Sequence, residues 1–172
     1  SRGASPRERA GEIFALCKAY AANFSRDSEN LLFIGKTGLG KTHLSLAIAK
    51  SVLEKGFGVV YGSAQDLLNK IEREHFSRGE NGRDTLELLI SCDLLIFDDL
   101  GTEFTSPFIQ STVYNIINTR MLERRPTILS TNLSLAEIRA AYHERIVSRL
   151  VGGYTIQEFF GKDVRFLKKS GK

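Results

Sequence analysis

The sequence predicts an α/β fold in which a parallel sheet is covered by helices on both faces. Three observations carry that prediction. Short apolar runs such as LLFI (Leu31–Ile34) and LLIF (Leu94–Phe97) have the length and composition of strands buried on both sides. The segments between such runs place apolar residues at helical spacing. Strand and helix alternate along the chain, as a sheet built from parallel crossovers requires.

Taken in order, residues 1–11 (SRGASPRERAG) are expected to be a flexible leader, and residues 12–172 one domain. EIFALCKAYAANF carries Ile13, Leu16 and Tyr20 at helical spacing, with Phe14 and Cys17 beside them, so a helix is expected there. SRDSEN is a turn, and Leu31–Ile34 a short buried strand. Thr42–Lys55 is a helix stopped by Gly56, and Gly58–Gly62 a second strand. Ser63 followed by Asp66 resembles a capping box for a helix running through Phe76. A charged, glycine-containing loop (SRGENGRD) leads to a short helix, Thr85–Ser91, and a strand, Asp93–Asp98. Ser106-Pro107 opens a helix whose apolar face is Ile109, Val113, Ile116 and Ile117, and Arg125-Pro126 closes it. Thr127–Thr131 is a strand. Ser134 and Glu137 cap a helix over Leu135–Tyr142. ERIVSRL (Glu144–Leu150) is helical until Gly152-Gly153, and Tyr154–Phe160 is a last strand.

The net charge of +4 mildly favours a polyanionic partner. The two cysteines, Cys17 and Cys92, sit far apart in apolar contexts and read as buried free thiols, which suits a reducing, cytoplasmic setting. No apolar run approaches the roughly 18 residues of a membrane span, so no membrane partner is expected.

The chemistry starts at GKTGLGKTH. Gly35-x4-Gly40-Lys41-Thr42 fits the phosphate-loop pattern. Gly35, Gly38 and Gly40 let backbone N–H groups point into one concavity, where the next helix adds its N-terminal donors and dipole. The whole loop, Gly35, Lys36, Thr37, Gly38, Leu39, Gly40, Lys41, Thr42 and His43, is therefore the candidate nucleotide-binding segment. Lys41 puts a charge near the β and γ phosphates, and the Thr42 hydroxyl is a hard oxygen suited to Mg²⁺. ATP with Mg²⁺ is the expected ligand. Asp98 and Asp99 end an apolar strand. Asp98 suits Mg²⁺, held through water; Asp99 points elsewhere along the pleat and suits a general base acting on water. That second acid favours hydrolysis over transfer. Asn132 ends the next strand, where its amide suits orienting water or touching the γ-phosphate; capping the strand-to-helix turn is its plainer role.

These motifs in this order resemble the AAA+ ATPases, and within them the bacterial replicative-helicase loaders and transposition helpers (the DnaC/DnaI/IstB-like family). GKTGLGKTH, LLIFDDLG, ILSTNLS, ERIVSRL and GKDVRF carry the resemblance, which runs from about Glu12 to Phe166. It implies a five-stranded parallel sheet in the order 5-1-4-3-2, sandwiched by helices, and no helical lid domain. It implies that Asp98 and Asp99 form the Walker B pair, that Asn132 is sensor 1 and that Arg165 is the sensor 2 arginine. It places an arginine finger in ERIVSRL, with Arg149 the first choice and Arg145 one turn away, acting on ATP held by a neighbouring subunit. It further implies a helicase loader that assembles into an ATP-dependent oligomer on single-stranded DNA and the replicative helicase. The helicase contact would come through a region absent here. A transposition helper is the alternative, and a small-molecule P-loop kinase a lesser one. Asp99 stands where many AAA+ proteins carry Glu; its shorter reach predicts slow hydrolysis, and a finger supplied by a neighbour makes it assembly-dependent. For DNA, Arg73, Phe76, Arg78 and Arg83 suit phosphate contact and base stacking, although Glu72, Glu74, Glu80 and Asp84 dilute the patch and a solvated surface loop fits equally.

Overall fold

The computed structural model describes residues 5–77, 84–103 and 106–161. Its element order is α1 (Pro6–Ala22), β1 (Leu31–Ile34), α2 (Lys41–Glu54), β2 (Val59–Ser63), α3 (Ala64–Phe76), α4 (Asp84–Ser91), β3 (Leu94–Leu100), α5 (Pro107–Leu122), β4 (Thr127–Thr131), α6 (Leu135–Ala141), α7 (Glu144–Gly153) and β5 (Thr155–Glu158). The five strands form one sheet in the order β2-β3-β4-β1-β5, every neighbouring pair parallel. This is the order expected from the resemblance, read from the opposite edge.

Strand parity divides the core. Leu31 and Phe33 of β1, Leu94 and Ile96 of β3, and Ile128 of β4 pack on one face with Ile13 and Cys17 of α1 and Ile48 and Val52 of α2. Leu32, Ile34, Leu95, Phe97 and Leu129 pack on the other, against α3 through α7. Successive side chains of a strand point to opposite faces, so a strand covered on both must be apolar throughout. That is why LLFI and LLIF are unbroken. Cys17 and Cys92 are both buried and free.

The first helix begins at Pro6, so residues 6–11 are helical where a leader was expected. Ser5 and Glu8 form a complete capping box, and Pro6 occupies a first-turn position where its missing N–H costs nothing. Residues 1–4 of that leader lie outside the described residues. Ser134 and Glu137 also form a complete box, whereas at α3 only the Ser63 half is made, its hydroxyl accepting from the Asp66 N–H. Other boundaries move by a residue or two: β2 ends at Ser63, α6 at Ala141, and β5 is confined to Thr155–Glu158.

Arg120 of α5 is wholly buried, where an arginine in a helix would ordinarily be placed on the surface. Its guanidinium donates to the carbonyls of Leu89, Cys92 and Pro126 at 2.8–2.9 Å and to the Thr127 hydroxyl at 2.9 Å. It thereby satisfies the C-terminal carbonyls of α4 and the entry to β4. Burial lowers its pKa.

Candidate nucleotide site

The site forms at the C-terminal ends of β1, β3 and β4, where a parallel sheet presents its loops to one edge. β1 runs into the loop Gly35–Gly40, and α2 starts immediately afterwards. Gly38 and Gly40 have φ of 85° and 97°, in the left-handed region that L side chains disfavour. Gly35 meets a different constraint: a Cβ there would lie 2.8 Å from the Cβ and the carbonyl oxygen of Phe159. No side chain caps α2, whose N-cap is Gly40. Its first-turn N–H groups are thus directed at the loop's concavity, an arrangement suited to anions.

A cavity of about 590 Å³ opens there, within the range of small-molecule sites. Thr37, Gly38, Gly40, Lys41, Thr42 and His43 line it from the loop and α2, joined by Asp99 and Asn132 from the neighbouring strand ends and by Leu46. Lys36 contributes its carbonyl, which accepts from Lys41 Nζ at 2.8 Å, as the Gly35 carbonyl also does. Leu39 packs against the α1–α2 core. Burial pulls the Lys41 pKa down, and the charges of Asp99 and Asp98 oppose that pull.

Asp98 follows Leu94 and Ile96 in parity and so faces α2. It is 5% exposed. Its Oδ2 accepts from Thr42 Oγ1 at 2.9 Å and from the Tyr61 hydroxyl at 2.6 Å, and its Oδ1 accepts from the Ser130 hydroxyl. Tyr61 and Ser130 were missed in the sequence. Tyr61 lies in a stretch read only as a strand, and Ser130 in a motif where only Asn132 was given a role; their convergence follows from register, with Ser63 opposite Asp98 and Phe97 opposite Leu129. Burial, then the bond to Asp98, pushes the Tyr61 phenol pKa up from its ordinary value.

Asp99 reaches the cavity by a different route from the simple pleat alternation expected. The β3–β4 register slips between Phe97 and Leu100, the mark of a bulge, and Asp99 takes φ 54°. Asp tolerates the left-handed region better than most residues. The Asp99 N–H, released from the ladder, donates to Ser130 Oγ at 3.1 Å. Burial raises the Asp99 pKa, the Asp98 charge raises it further, and Lys41 acts in the opposite sense. Behind the bulge, buried Glu103 accepts from the Gly101 N–H at 2.7 Å and from the Tyr142 hydroxyl, tying this loop to the segment just before α7.

The other expected site residues lie elsewhere. Arg145 and Arg149 stand exposed on α7, outside the cavity lining, while Ile146, Val147 and Leu150 anchor that helix. The Arg145 guanidinium sits 4.5 Å from the centre of the Tyr114 ring. Arg73 is exposed near the end of α3; Phe76 is 67% exposed and clusters with His75 and Phe108 at ring distances of 4.9 and 5.5 Å. Arg78, Arg83 and Arg165 lie outside the described residues.

Compared with known proteins, residues 15–151 match the family model described as IstB-like ATP binding protein. The chain belongs to that family. Among curated relatives of this IstB-like domain, the replicative helicase loader DnaC of Escherichia coli (strain K12) is 28% identical over 164 residues, covering 94% of this chain and 67% of DnaC. Among solved structures, the crystal structure of the DnaC helicase loader superposes with a TM-score of 0.78 at 24% identity, covering 93% of each chain. AMPPCP-bound DnaA from Aquifex aeolicus gives 0.75 at 27% identity, over 95% of this chain and 51% of that one. The domain is thus an ATP-binding AAA+ fold, related to the helicase loader DnaC. Among the described residues, no helix is long and apolar enough to cross a membrane.

Proposed function

We propose that this chain is the ATPase domain of a replicative-helicase loader, hydrolysing ATP slowly and only when assembled. The observation that supports it best is the gathering of Lys41, Thr42, Asp99 and Asn132 around one cavity, with Asp98 held directly behind Thr42.

The donor set fits Mg²⁺: a hydroxyl and a carboxylate, both hard oxygens, stand 2.9 Å apart at Thr42 and Asp98. The ion, when bound there, neutralises charge on the phosphates. Lys41 exchanges its bonds to the Gly35 and Lys36 carbonyls for bonds to phosphate oxygens. Asp99 takes the proton of the attacking water, and its raised pKa makes it a stronger base than an ordinary aspartate. Asn132 orients that water. Arg149 completes the site on a neighbouring subunit, because on its own chain it stands outside the cavity. Arginines supplied this way contribute roughly 10³–10⁵ in rate. Single-stranded DNA is gripped through Arg73 and Phe76, with Arg78 and Arg83, by phosphate contact and stacking, so its affinity falls as salt rises.

The test is a pull-down of the full-length protein from extract of its own cells in the presence of ATP. Recovery of the replicative helicase is expected. A transposase recovered in its place moves the assignment to a transposition helper.

A further inference from the structure

We propose that Tyr61 is a positioning residue that sets the Asp98 carboxylate for the divalent cation; this rests on the nucleotide-site reading above. Asp98 is a buried carboxylate, and among the described residues none of the ion pairs includes it. Its charge is met by three hydroxyls, from Thr42, Tyr61 and Ser130. These three differ in what else they must do. Thr42 lines the cavity, and its oxygen lone pairs are the ones a cation would take. Ser130 divides its oxygen between donating to Asp98 and accepting the Asp99 N–H at 3.1 Å. Tyr61 stands outside the cavity lining, and its hydroxyl donates to Oδ2 at 2.6 Å.

The terminal torsion of an aspartate is broad, so its carboxylate plane is set by what the two oxygens bind. Ser130 holds one oxygen. Tyr61 holds the other from a fixed direction, because its ring is packed with the α1–α2 core and its strand is in register with β3. A carboxylate oxygen accepts two hydrogen bonds. Tyr61 takes one of these places on Oδ2 and the Thr42 hydroxyl takes the other. Without the phenol, the carboxylate keeps Ser130 on Oδ1 and only Thr42, the residue a cation would engage, on Oδ2, so its plane is set less firmly while the phosphate loop is untouched.

Tyr61→Phe removes the hydroxyl and keeps the ring. Binding of a fluorescent ATP analogue is measured in EDTA and then across a Mg²⁺ titration, for the wild-type protein and the variant. The expected result is metal-free affinity within twofold of wild type and a Mg²⁺ midpoint raised about tenfold. A midpoint within twofold of wild type, or a lower one, overturns the proposal. So does a parallel loss in EDTA and in Mg²⁺, or loss of the folded state, because either marks a purely structural hydroxyl. Wild-type protein that binds the analogue in neither condition ends the nucleotide-site reading itself, and the proposal with it.

Discussion

The end of β3 and the outer face of α7 contrast in how their charges are handled. At Asp98 the buried carboxylate is met entirely within the chain, by three hydroxyls on α2, β2 and β4. On α7 Arg145 and Arg149 are exposed on a helix anchored by Ile146, Val147 and Leu150, Arg145 lying against the Tyr114 ring. A buried charge must find its partners in the fold, since desolvation otherwise costs several kcal/mol. An exposed guanidinium carries no such requirement and remains available to another molecule. One region is thus satisfied within a single chain, and the other is left open to solvent. The junction between them is short. Glu103 behind the bulge bonds Tyr142, and Gln110 of α5 donates to the Ala141 carbonyl at 2.8 Å and accepts the His143 N–H at 3.2 Å, immediately before α7.

The largest test of that contrast separates the two regions genetically. Arg149→Ala and Asp99→Asn should each lower phosphate release by about 10³-fold, one by removing the finger and the other the base. A mixture of the two should recover activity in proportion to protein concentration, because a sound pocket then faces a sound arginine. Phosphate release is followed across a concentration series with single-stranded DNA. A mixture that never exceeds the sum of its parts, while wild type is active, makes α7 a solvated face and erases the contrast.

Asp99→Asn carries a second expectation, of opposite sign to its effect on turnover. The Asp99 pKa is raised in the folded state. Its contribution to stability is therefore fully present below the unfolded value of 3.8 and is lost as pH rises through the raised value. At neutral pH the ionised carboxylate works against the fold, and Asn relieves it. Thermal melting should give Asp99→Asn a higher Tm than wild type at pH 7, the gap closing toward pH 4. A lower Tm at pH 7 would mean that Asp99 is held by contacts stronger than burial and the Asp98 charge oppose.

Lys41→Ala should weaken ATP–Mg²⁺ binding by about 100-fold, since a charge-assisted bond in a partly desolvated site is worth roughly 3 kcal/mol. Isothermal titration of the two proteins reads this directly, and equal affinities would remove the loop from the site. The smallest effect belongs to Arg145→Ala. Losing its contact with the Tyr114 ring should cost about 0.5–1 kcal/mol, a Tm drop of about 1–4 °C for a domain of this size. Most of the activity should survive in that variant. A collapse of turnover comparable with Arg149→Ala would instead assign the finger to Arg145.

The sequence by itself determined most of the elements and the place of the phosphate loop, because both depend on neighbours in the chain. Apolar runs bounded by turn residues marked each strand, and Gly35 to Thr42 marked the loop, since a glycine-rich turn and the helix behind it are contiguous. The helix start at Ser5 was equally local: Ser5-Pro6 with Glu8 three residues on is a capping signal. It was overlooked because the apolar spacing begins only at Ile13. The tertiary structure alone decided which side chains meet Asp98. Tyr61 and Ser130 lie on the strands flanking β3 in the sheet, and their parity and register bring them to Asp98, where Thr42 arrives from α2. It also decided where Asp99 goes. Alternation along a regular strand sends consecutive residues to opposite faces, but one extra residue at the β3–β4 bulge turns Asp99 into the cavity. Bulges arise from pairing between strands, so a single strand's sequence does not announce them. Arg120 follows the same logic: its burial is tolerable only because carbonyls from α4 and from the entry to β4 converge on it.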